Sequence, residues 1–398
     1  MQTCDTLLHA GVLLTQDDDR CVLENAALAI DGGRIVALGY SQDVTAAWQA
    51  REILDLSGML VMPGLVNAHT HAAMTFLRGL ADDMPLMDWL QQKIFPVEQG
   101  LTPDLVRLGS LLGFAEMLRT GTTSCVDMYI FEAAVLEAAD KAGLRCLAGE
   151  GVFNFPSACC PDADAALACT REMAQRWAGH DRLHVAVMPH SVYTTTAAQL
   201  TACRELADEL GLPLHIHLAE TRQETALSLE QHGLRPVAHA DRLGLLRPGT
   251  ILAHVVDVDA DEIALLARRG VIVVHNPSSN MKLASGVAPV PAMLDAGVRL
   301  ALGSDGAASN NRLNMFTEMG RAALLHKAAG DPETMPARTV LDMATRGGAA
   351  AMGGDGGVLA RQPAGGSLRD GSGHGRGSGG DTGGLQEIAA RNKVFHEK

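Results

Sequence analysis

The feature that most constrains the fold is a repeated alternation, beyond Pro63, of short apolar runs with longer helix-like segments. About eight such runs occur, and each is followed by enough chain for a helix. Parallel strands joined by helical crossovers produce this order, so the sequence predicts an α/β fold built on a (β/α)₈ TIM barrel. The runs are GLVNAHTH, TTSCVDM, LRCLAGE, LHVAVMPH, PLHIHLAE, TILAHV, VIVVHN and VRLALGSD.

The segments on either side of the barrel predict a second, smaller domain. Residues 1–60 contain short strands separated by tight turns, with a hairpin signal at Asp31-Gly32-Gly33. We expect these strands to form part of a small β-sandwich, and the barrel to cover residues 61–352. Residues 353–398 are glycine-rich and nearly free of large apolar side chains until LQEIAARNKVFHEK. Because such a segment buries too little apolar surface to offset its ordering entropy, we expect an aberrant tail in place of the rest of the β domain.

Charge and composition narrow the choice of partners. The formal net charge of −14 disfavours DNA and RNA, which require a basic surface, but is compatible with a neutral nucleoside. The N-terminus lacks a basic leader with an apolar core, and no run reaches the ~18 apolar residues of a membrane span. The 8 cysteines include no Cys-x-x-Cys pair, and adjacent Cys159 and Cys160 are poorly placed to bridge each other. We therefore expect a cytoplasmic protein with free thiols and no membrane partner, whereas homo-oligomerisation is left open.

Polar side chains gather where the apolar runs stop. In a (β/α)₈ barrel the carboxyl ends of the strands form the active-site face, so these side chains should meet there. Packing alone is a poor explanation for five histidines and an aspartate drawn from different strands. The six residues at or near strand ends are His69, His71, His190, His217, His254 and Asp305.

His69 and His71 lie two residues apart, so both point to the same side of one strand. Alone, this pair favours two hydrogen-bonded core histidines over a metal site. His217 and Asp305 reverse that preference, because three imidazoles and a carboxylate suit a divalent transition metal. Zn²⁺ is the first choice and Fe²⁺ the alternative. His215 shares a strand face with His217 but lies one layer deeper, which predicts interior packing.

Glu220 and His254 are candidates for proton transfer. A metal-activated water needs a carboxylate to carry its proton to the substrate, and Glu220 follows His217 by three residues at the same rim. The alternative for Glu220 is an exposed glutamate that favours the start of a helix. His254 could hydrogen-bond the attacking water, or it could be a buried histidine with its own partners.

Several longer stretches resemble the amidohydrolase superfamily, and closely its 5′-methylthioadenosine/S-adenosylhomocysteine deaminase family, from about residue 1 to residue 352. They are PGLVNAHTHAAMTFLRGLADDMPLMDWL, IFPVEQGLTPD, EMLRTGTTSCVDMY, MPHSVYTTT, HIHLAET, HNPSSNMKLASG and LGSDGAASNNRLNMFTEM. The resemblance implies one divalent metal ion held by His69, His71, His217 and Asp305. LHVAVMPH ends without the lysine that bridges two metals in some relatives, which agrees with a single ion.

The resemblance also implies a reaction. It is hydrolytic deamination of the 6-amino group of 5′-methylthioadenosine, S-adenosylhomocysteine or adenosine, which gives the inosine analogue and ammonia. Glu220 would take the proton of a metal-activated water and give it to ring N1, while His254 and Asp305 orient that water. The substrate contacts implied in addition are Glu98 for the ribose hydroxyls, His190 for the nucleoside and Trp89 for the base pocket.

Two other functions stay open. The first is a related amidohydrolase that acts on a free base or a triazine, as guanine deaminases, cytosine deaminases and chlorohydrolases do. Glu98 distinguishes this alternative, because a ribose-binding carboxylate is useful only for nucleosides. The second is an inactive family member or a binding module, because the family's closing motif Gly-x-Leu-x-x-Gly-x-x-Ala-Asp-Leu is absent after Gly353.

Overall fold

The computed structural model describes residues 1–353 and the two-residue segment Gly380–Asp381. Within these residues the chain forms two compact units, residues 1–65 and residues 66–352. The domain limits expected from the sequence stay a prediction. The expected aberrant tail at 353–398 lies outside the described residues, apart from Gly353 and the short segment. In the part of the chain that is described, no helix is long and apolar enough to cross a membrane.

The first unit is a sheet with one short helix, α1 (Ser41–Ala47). Its strands are β1 (Gln2–Leu14), β2 (Val22–Asp31), β3 (Arg34–Tyr40) and β4 (Trp48–Val61). β1 pairs antiparallel with β2 and parallel with β4, and β3 pairs antiparallel with both β2 and Gly380–Asp381. The predicted hairpin between β2 and β3 is confirmed, because Gly32 and Gly33 both take positive φ, 56° and 74°, as a type I′ turn requires.

Alternation along β2 gives this unit apolar side chains on both faces of its sheet. Leu28 and Ile30 pack on one face with Leu8, in a cluster that also contains Leu54 and Leu56 of β4. Ala27 and Ala29 point to the other face, where they pack with Leu7 beneath Val44 of α1. The sheet therefore has no face that is free of apolar packing.

The second unit contains the parallel strands that the eight apolar runs predict, so the barrel prediction is confirmed. The two-residue strand β9 (Met188–Pro189) continues β8. The eight strands are β5 (Leu65–Thr70), β6 (Thr122–Tyr129), β7 (Arg145–Val152), β8 (Leu183–Val185), β10 (His215–Leu218), β11 (Ile251–His254), β12 (Ile272–His275) and β13 (Arg299–Leu302).

The strands pair in chain order, and hydrogen bonds join the last to the first. β5 to β8 form one paired run and β10 to β13 the other, linked by isolated parallel bridges at Val187–Leu214 and Ser191–His217. Beyond the end of β13, the Asp305 N–H donates to the His69 carbonyl at 2.9 Å. The Ser304 N–H donates to Oδ1 of Asn67 at 2.9 Å. This closure places Asp305 beside His69 although they come from opposite ends of the barrel sequence.

Helical segments follow the strands. A 3₁₀ segment spans Ala72–Leu77, a second one Lys327–Ala329, and π-helical turns span Leu90–Ile94 and Met343–Gly347. The α-helices are α2 (Leu86–Trp89), α3 (Phe95–Glu98), α4 (Pro103–Arg119), α5 (Glu132–Ala142), α6 (Ala163–Arg176), α7 (Ala197–Leu210), α8 (Arg222–His232), α9 (Pro236–Arg242), α10 (Ala260–Arg269), α11 (Pro277–Lys282), α12 (Val290–Asp295), α13 (Ala307–Asn310), α14 (Met315–Leu325), α15 (Ala337–Asp342) and α16 (Gly348–Ala351).

Helix α10 shows how local sequence sets these boundaries. Asp259 accepts from the Glu262 N–H at 2.9 Å, and the Glu262 carboxylate accepts from the Asp259 N–H at 3.2 Å. This reciprocal capping box satisfies two N–H groups that the first helical turn leaves unpaired. At the other end, Gly270 takes the left-handed conformation that stops a helix. The strand that follows, β12, can therefore begin at Ile272.

Helix α4 packs closely on the 3₁₀ segment that follows His71, and Gly113 makes that contact fit. A Cβ at position 113 would meet the Ala72 carbonyl oxygen at 2.8 Å and Thr75 Oγ1 at 2.9 Å. We expect Gly113→Ala to lower the free energy of unfolding by about 1–3 kcal/mol through overpacking, measured as a lower urea midpoint. Gly320→Ala in α14 is the matched control: it meets no atom within 4 Å and should stabilise by about 0.5–1 kcal/mol. Equal midpoints for the two variants would contradict the tight contact.

Candidate active site

One cavity of about 620 Å³ contains most of the predicted site residues. Apolar side chains such as Leu86, Ile94 and Phe153 form part of its wall. His69, the one predicted site residue outside the lining, is completely buried behind it. The other eight, all in the lining, are His71, Trp89, Glu98, His190, His217, Glu220, His254 and Asp305.

Three barrel strands end in an uncommon backbone conformation at this cavity. Ala219, His254 and Asp305 have φ values of 52°, 75° and 60°, in the left-handed region. Each such residue costs about 1–3 kcal/mol and persists only where the surroundings hold it. For Asp305 the restraint is visible, since its N–H and its carbonyl are both hydrogen-bonded to β5, to His69 and Thr70. These conformations therefore lower the stability of the barrel, and they orient Glu220, His254 and Asp305 at its rim.

Four of the predicted residues bring ligand atoms together. His69, His217, His254 and Asp305 each place one nitrogen or oxygen within 4.8 Å of those of the other three. His71 is not in this group, but its Nε2 lies 3.0 Å from Oδ1 of Asp305. The sequence predicts His71 as a metal ligand and His254 as a neighbour of the metal-activated water. The structure places both beside Asp305, and the ligand set itself stays a prediction.

Hydrogen-bond partners indicate which nitrogen of each imidazole is free. Nδ1 of His217 lies 2.9 Å from the His190 carbonyl oxygen, and Nδ1 of His71 contacts the Met128 carbonyl. A carbonyl can only accept, so both Nδ1 atoms carry protons. In the neutral imidazole, Nε2 then keeps its lone pair. We infer that His217 directs this lone pair at the group of ligand atoms.

The hydrogen bonds of His215 also determine which nitrogen of His69 carries the proton. Nδ1 of His215 lies 3.2 Å from the Ile251 carbonyl, so it carries the proton and leaves Nε2 as an acceptor. That Nε2 lies 2.8 Å from Nδ1 of His69, which must therefore donate. The lone pair of His69 is consequently on Nε2, 3.3 Å from Oδ1 of Asp305. His215 was predicted to be simple packing; it is buried, but it also fixes the tautomer of His69.

The donor set fits a divalent cation. Nε2 of His69 is completely buried and makes no hydrogen bond to any described residue. A buried acceptor without a partner is destabilising. A divalent metal ion would satisfy it, because such an ion binds both imidazole lone pairs and carboxylates. Oδ2 of Asp305 is already used, since it accepts from Oγ of Ser279 at 2.6 Å and Oγ of Ser309 at 2.7 Å. The carboxylate is thereby oriented with Oδ1 towards the histidines.

Protonation in the metal-free site is uneven. Burial lowers the pKa of His69 to about 4 and that of His217 well below its usual value, so both are neutral near pH 7. Burial also opposes charge on His71, but the hydrogen bond with Asp305 and the charges of Asp305 and Asp127 outweigh it and raise the pKa to about 9. For Asp305, burial opposes ionisation as well, but the neighbouring imidazoles of His69 and His71 outweigh it and hold its pKa well below the usual range.

Glu220 and His254 form a pair next to the ligand atoms. Oε2 of Glu220 lies 3.7 Å from Nε2 of His254, and Oε1 accepts from Oγ of Ser285 at 3.0 Å. Nδ1 of His254 is fixed by Oδ1 of Asn280 at 2.8 Å. Burial raises the pKa of Glu220 above its usual value. Glu220 is thus not the exposed helix-start glutamate that was the alternative, because it is 4% exposed and lines the cavity.

The remaining predicted contacts occupy other parts of the wall. Glu98 is buried, which raises the pKa of its carboxyl to about 7 against the opposing effects of Tyr129 and His71. The indole N–H of Trp89 is buried and has no hydrogen-bond partner among the described residues. His190 has its Nδ1 2.8 Å from Oγ1 of Thr194. Glu98 therefore adds a buried carboxyl group to the cavity wall.

Comparison with known proteins identifies the family. A model of the amidohydrolase family matches residues 60–362. The chain belongs to the amidohydrolase family. A 5-methylthioadenosine/S-adenosylhomocysteine deaminase of Desulfovibrio desulfuricans is 65% identical over 353 residues, which are 88% of this chain and 80% of that protein. The corresponding protein of Lawsonia intracellularis is 58% identical, with the same coverage of 88% and 80%.

Solved structures agree with the amidohydrolase fold. A zinc-bound adenosine deaminase from Xanthomonas campestris is 43% identical, with a TM-score of 0.87 and coverage of 90% of this chain and 82% of that one. An atrazine chlorohydrolase from Arthrobacter aurescens, complexed with zinc, is 25% identical, with a TM-score of 0.81 and coverage of 87% and 83%. The adenosine deaminase is thus more similar to this amidohydrolase than the triazine enzyme is. The sequence-based assignment to the deaminase family is confirmed.

The residues that orient the predicted site residues through hydrogen bonds were not assigned this role from the sequence. The signal for His215 was present, because His-Ile-His puts two imidazoles on one strand face. Ser279, Asn280 and Ser285 lie in HNPSSNMKLASG, and their hydrogen bonds to Asp305, His254 and Glu220 could not be read from spacing. They come from the chain after β12, and only the closed barrel brings this segment over β10, β11 and the end of β13.

Proposed function

We propose that this amidohydrolase deaminates 5′-methylthioadenosine and S-adenosylhomocysteine, and adenosine as a smaller analogue, at the 6-amino position. The observation that carries the proposal is that one cavity joins Glu220, His217 and Asp305 to Glu98. The first three supply a site for hydrolysis, and the carboxylate of Glu98 is the acceptor that ribose hydroxyls need. The names of the similar proteins support the same substrates.

We further propose one divalent metal ion, with His69, His71, His217 and Asp305 as ligands and His254 next to it. Zinc is the first candidate, because the adenosine deaminase and the chlorohydrolase both contain it; Fe²⁺ is the alternative. When bound, such an ion lowers the pKa of a water molecule from 15.7 towards about 7. A nucleoside partner follows from the substrate, whereas the cytoplasmic location and the absence of a nucleic-acid partner stay predictions.

The side chains of the cavity divide the proton transfers between them. Glu220 accepts the proton of the attacking water and delivers it to ring N1, which makes C6 more electrophilic. His254 is held by Asn280 with Nε2 towards Glu220, so it can hydrogen-bond the oxygen that adds to C6. Asp305 is ionised, and its Oδ1, which faces the histidines, would accept a hydrogen bond from the same oxygen. The hydroxyl proton of the adduct then passes to the amino nitrogen, and as the bond between C6 and that nitrogen breaks, C6=O forms and ammonia leaves.

A substrate screen tests the function. Ammonia release and the ultraviolet change from adenine to hypoxanthine would be followed with 5′-methylthioadenosine, S-adenosylhomocysteine, adenosine, free adenine, guanine and a chlorinated triazine. We expect the three nucleosides to be turned over with higher kcat/KM than the free bases or the triazine. Preferential turnover of a free base or of the triazine would replace the proposal by the second candidate function. No turnover by a folded, metal-loaded sample would favour an inactive member.

Glu98→Gln tests the ribose contact. Glutamine keeps the size of the side chain but removes the charge, and a hydrogen bond to a charged group is worth about 1.5–3 kcal/mol. We expect the KM for 5′-methylthioadenosine to rise by about 10- to 150-fold, while the inhibition constant of free adenine changes less than about twofold. Glu205→Gln, which removes a carboxylate from an exposed position of α7, is the matched control and should leave both constants unchanged.

The pH dependence of kcat/KM is a second test of the role of Glu98. Only the ionised carboxylate accepts from both hydroxyls, and burial raises its pKa to about 7. For the wild type, kcat/KM for the nucleoside should fall below that pH as Glu98 gains a proton. Glu98→Gln should lose this part of the profile. If Glu98→Gln weakened the binding of the nucleoside and of the free base equally, the assignment of Glu98 to the ribose would be contradicted.

A further inference from the structure

Three thiols converge outside the cavity described above. Cys159, Cys160 and Cys169 place their Sγ atoms within 4.8 Å of one another. The first two lie in the loop that follows β7, and Cys169 lies on α6. All three are free thiols. Their spacing in the sequence gave no indication of this cluster, because the loop has to fold back on the helix before the sulfurs can meet.

The backbone around the cluster is fixed by its own hydrogen bonds. Oγ of Ser157 accepts from the N–H groups of Cys159 at 3.3 Å and Cys160 at 2.9 Å. The Ser157 N–H donates to the Cys160 carbonyl at 2.9 Å. Asp162 then caps α6 by accepting from the Ala165 N–H at 2.9 Å. The loop and the helix start are therefore held in the arrangement that brings the sulfurs together.

The cluster combines the three thiols with a buried carboxyl group. The thiols of Cys159 and Cys160 both hydrogen-bond the sulfur of Cys169, which lowers the pKa of the Cys169 thiol and raises that of Cys159. Glu150 adds a carboxyl group, since its side chain is completely buried and lies beside Cys159 and Cys169. Both of its oxygens already accept from backbone, from the N–H groups of Phe131 at 3.1 Å and Glu132 at 3.0 Å. Burial raises the pKa of the Glu150 carboxyl to about 7, and the sulfurs are the free ligand atoms beside it.

We propose that Cys159, Cys160 and Cys169 form a second metal site that binds one soft, thiophilic d¹⁰ cation, for which Cd²⁺ is the probe. Thiolates select such ions over Mg²⁺ and Ca²⁺. A cation with metal–sulfur bonds of ~2.3 Å among three sulfurs places them ~4.0 Å apart, which the 4.8 Å limit of this cluster accommodates. As the metal–sulfur bonds form, the remaining thiol protons pass to the buffer and no electron is transferred.

The bound cation would join the loop to α6. The same loop forms part of a smaller cavity of about 250 Å³, which Phe153, Phe155 and Ser157 line together with Glu98. The second site therefore lies beside the proposed ribose end of the active site without sharing a residue with it. Its ligands are all sulfur, whereas the proposed catalytic ligands are imidazole and carboxylate, so the two sites differ in the ions that they prefer.

Titration of the full-length, zinc-loaded and reduced enzyme with Cd²⁺ tests the proposal. Ultraviolet absorption from thiolate-to-metal charge transfer reports sulfur ligands and is silent for the histidine site. We expect one equivalent of Cd²⁺ to give this absorption in the wild type and in Cys21→Ser, a partly exposed cysteine of the other unit. Cys169→Ser and Cys159→Ser should bind the ion at least about 100-fold more weakly, because each lacks one of three ligands.

Three results would overturn the proposal. They are no stoichiometric absorption in the wild type, an unchanged affinity in both Cys169→Ser and Cys159→Ser, and formation of a disulfide within the cluster that excludes Cd²⁺. Two site variants are used so that poor folding of one leaves a decisive measurement. None of these cysteines belongs to the proposed catalytic machinery, so deaminase activity of the variants serves as the check on folding.

Discussion

Glu220→Gln is expected to lower kcat by about 10²- to 10⁴-fold, the contribution of a positioned general acid–base group. Glutamine fills the same volume and can still accept from Oγ of Ser285, which holds Oε1 of Glu220 at 3.0 Å. It cannot take a proton from water or give one to ring N1. Because the loss concerns proton transfer and not binding, KM should change less than about tenfold.

The controls for Glu220→Gln separate chemistry from folding. Glu230→Gln removes a carboxylate from the exposed surface of α8 and should keep nearly full activity. Metal content and thermal midpoint of Glu220→Gln should equal those of the wild type, since Glu220 is not among the proposed ligands. A kcat within about threefold of the wild type would remove Glu220 from the mechanism.

The barrel could be predicted because its strands carry their signal locally. Each run contains apolar residues, as strands buried on both faces do, and each carries a polar residue at or near its end. His69, His217 and Asp305 were therefore assignable to the rim without any knowledge of the strand pairing. The structure adds how these ends are oriented. The left-handed φ of His254 and Asp305 has no sequence signal, because neither residue is glycine.

The contacts between distant segments of the chain could not be predicted from the sequence. His215 was expected to be ordinary packing, because His-Ile-His shows that it shares a strand face with His217 but not that its ring meets His69, from another strand, at 2.8 Å. The cluster of Cys159, Cys160 and Cys169 was missed for a similar reason. A helix and the loop before it meet through the path of the backbone, and spacing rules such as Cys-x-x-Cys describe only ligands within one turn.

Loss of metal should have the largest effect on activity. Chelation is expected to lower kcat by at least about 10³-fold, because the water would keep a pKa near 15.7 and Glu220 alone could not ionise it. Addition of Zn²⁺ should restore turnover, with one ion per chain at the histidine site. Asp305→Asn should reproduce the loss while the fold is kept, because asparagine can still accept from Ser279 and Ser309. Full activity in a sample shown by elemental analysis to be free of metal would contradict the mechanism.

The affinity for that metal should depend on pH through a single proton. His69 and His217 are already neutral near pH 7, and Asp305 is already ionised, because its pKa is held well below the usual range. Of the four proposed ligands, only His71 is cationic before the metal binds, with its pKa raised to about 9, and it must lose that proton to become a ligand. Below that pH, the metal association constant should therefore rise about tenfold per unit of pH. Competition with a chelator at pH 6, 7 and 8 measures the slope, and His71→Asn should flatten it and weaken binding. A slope of zero in the wild type would contradict the loss of a proton from His71 on metal binding.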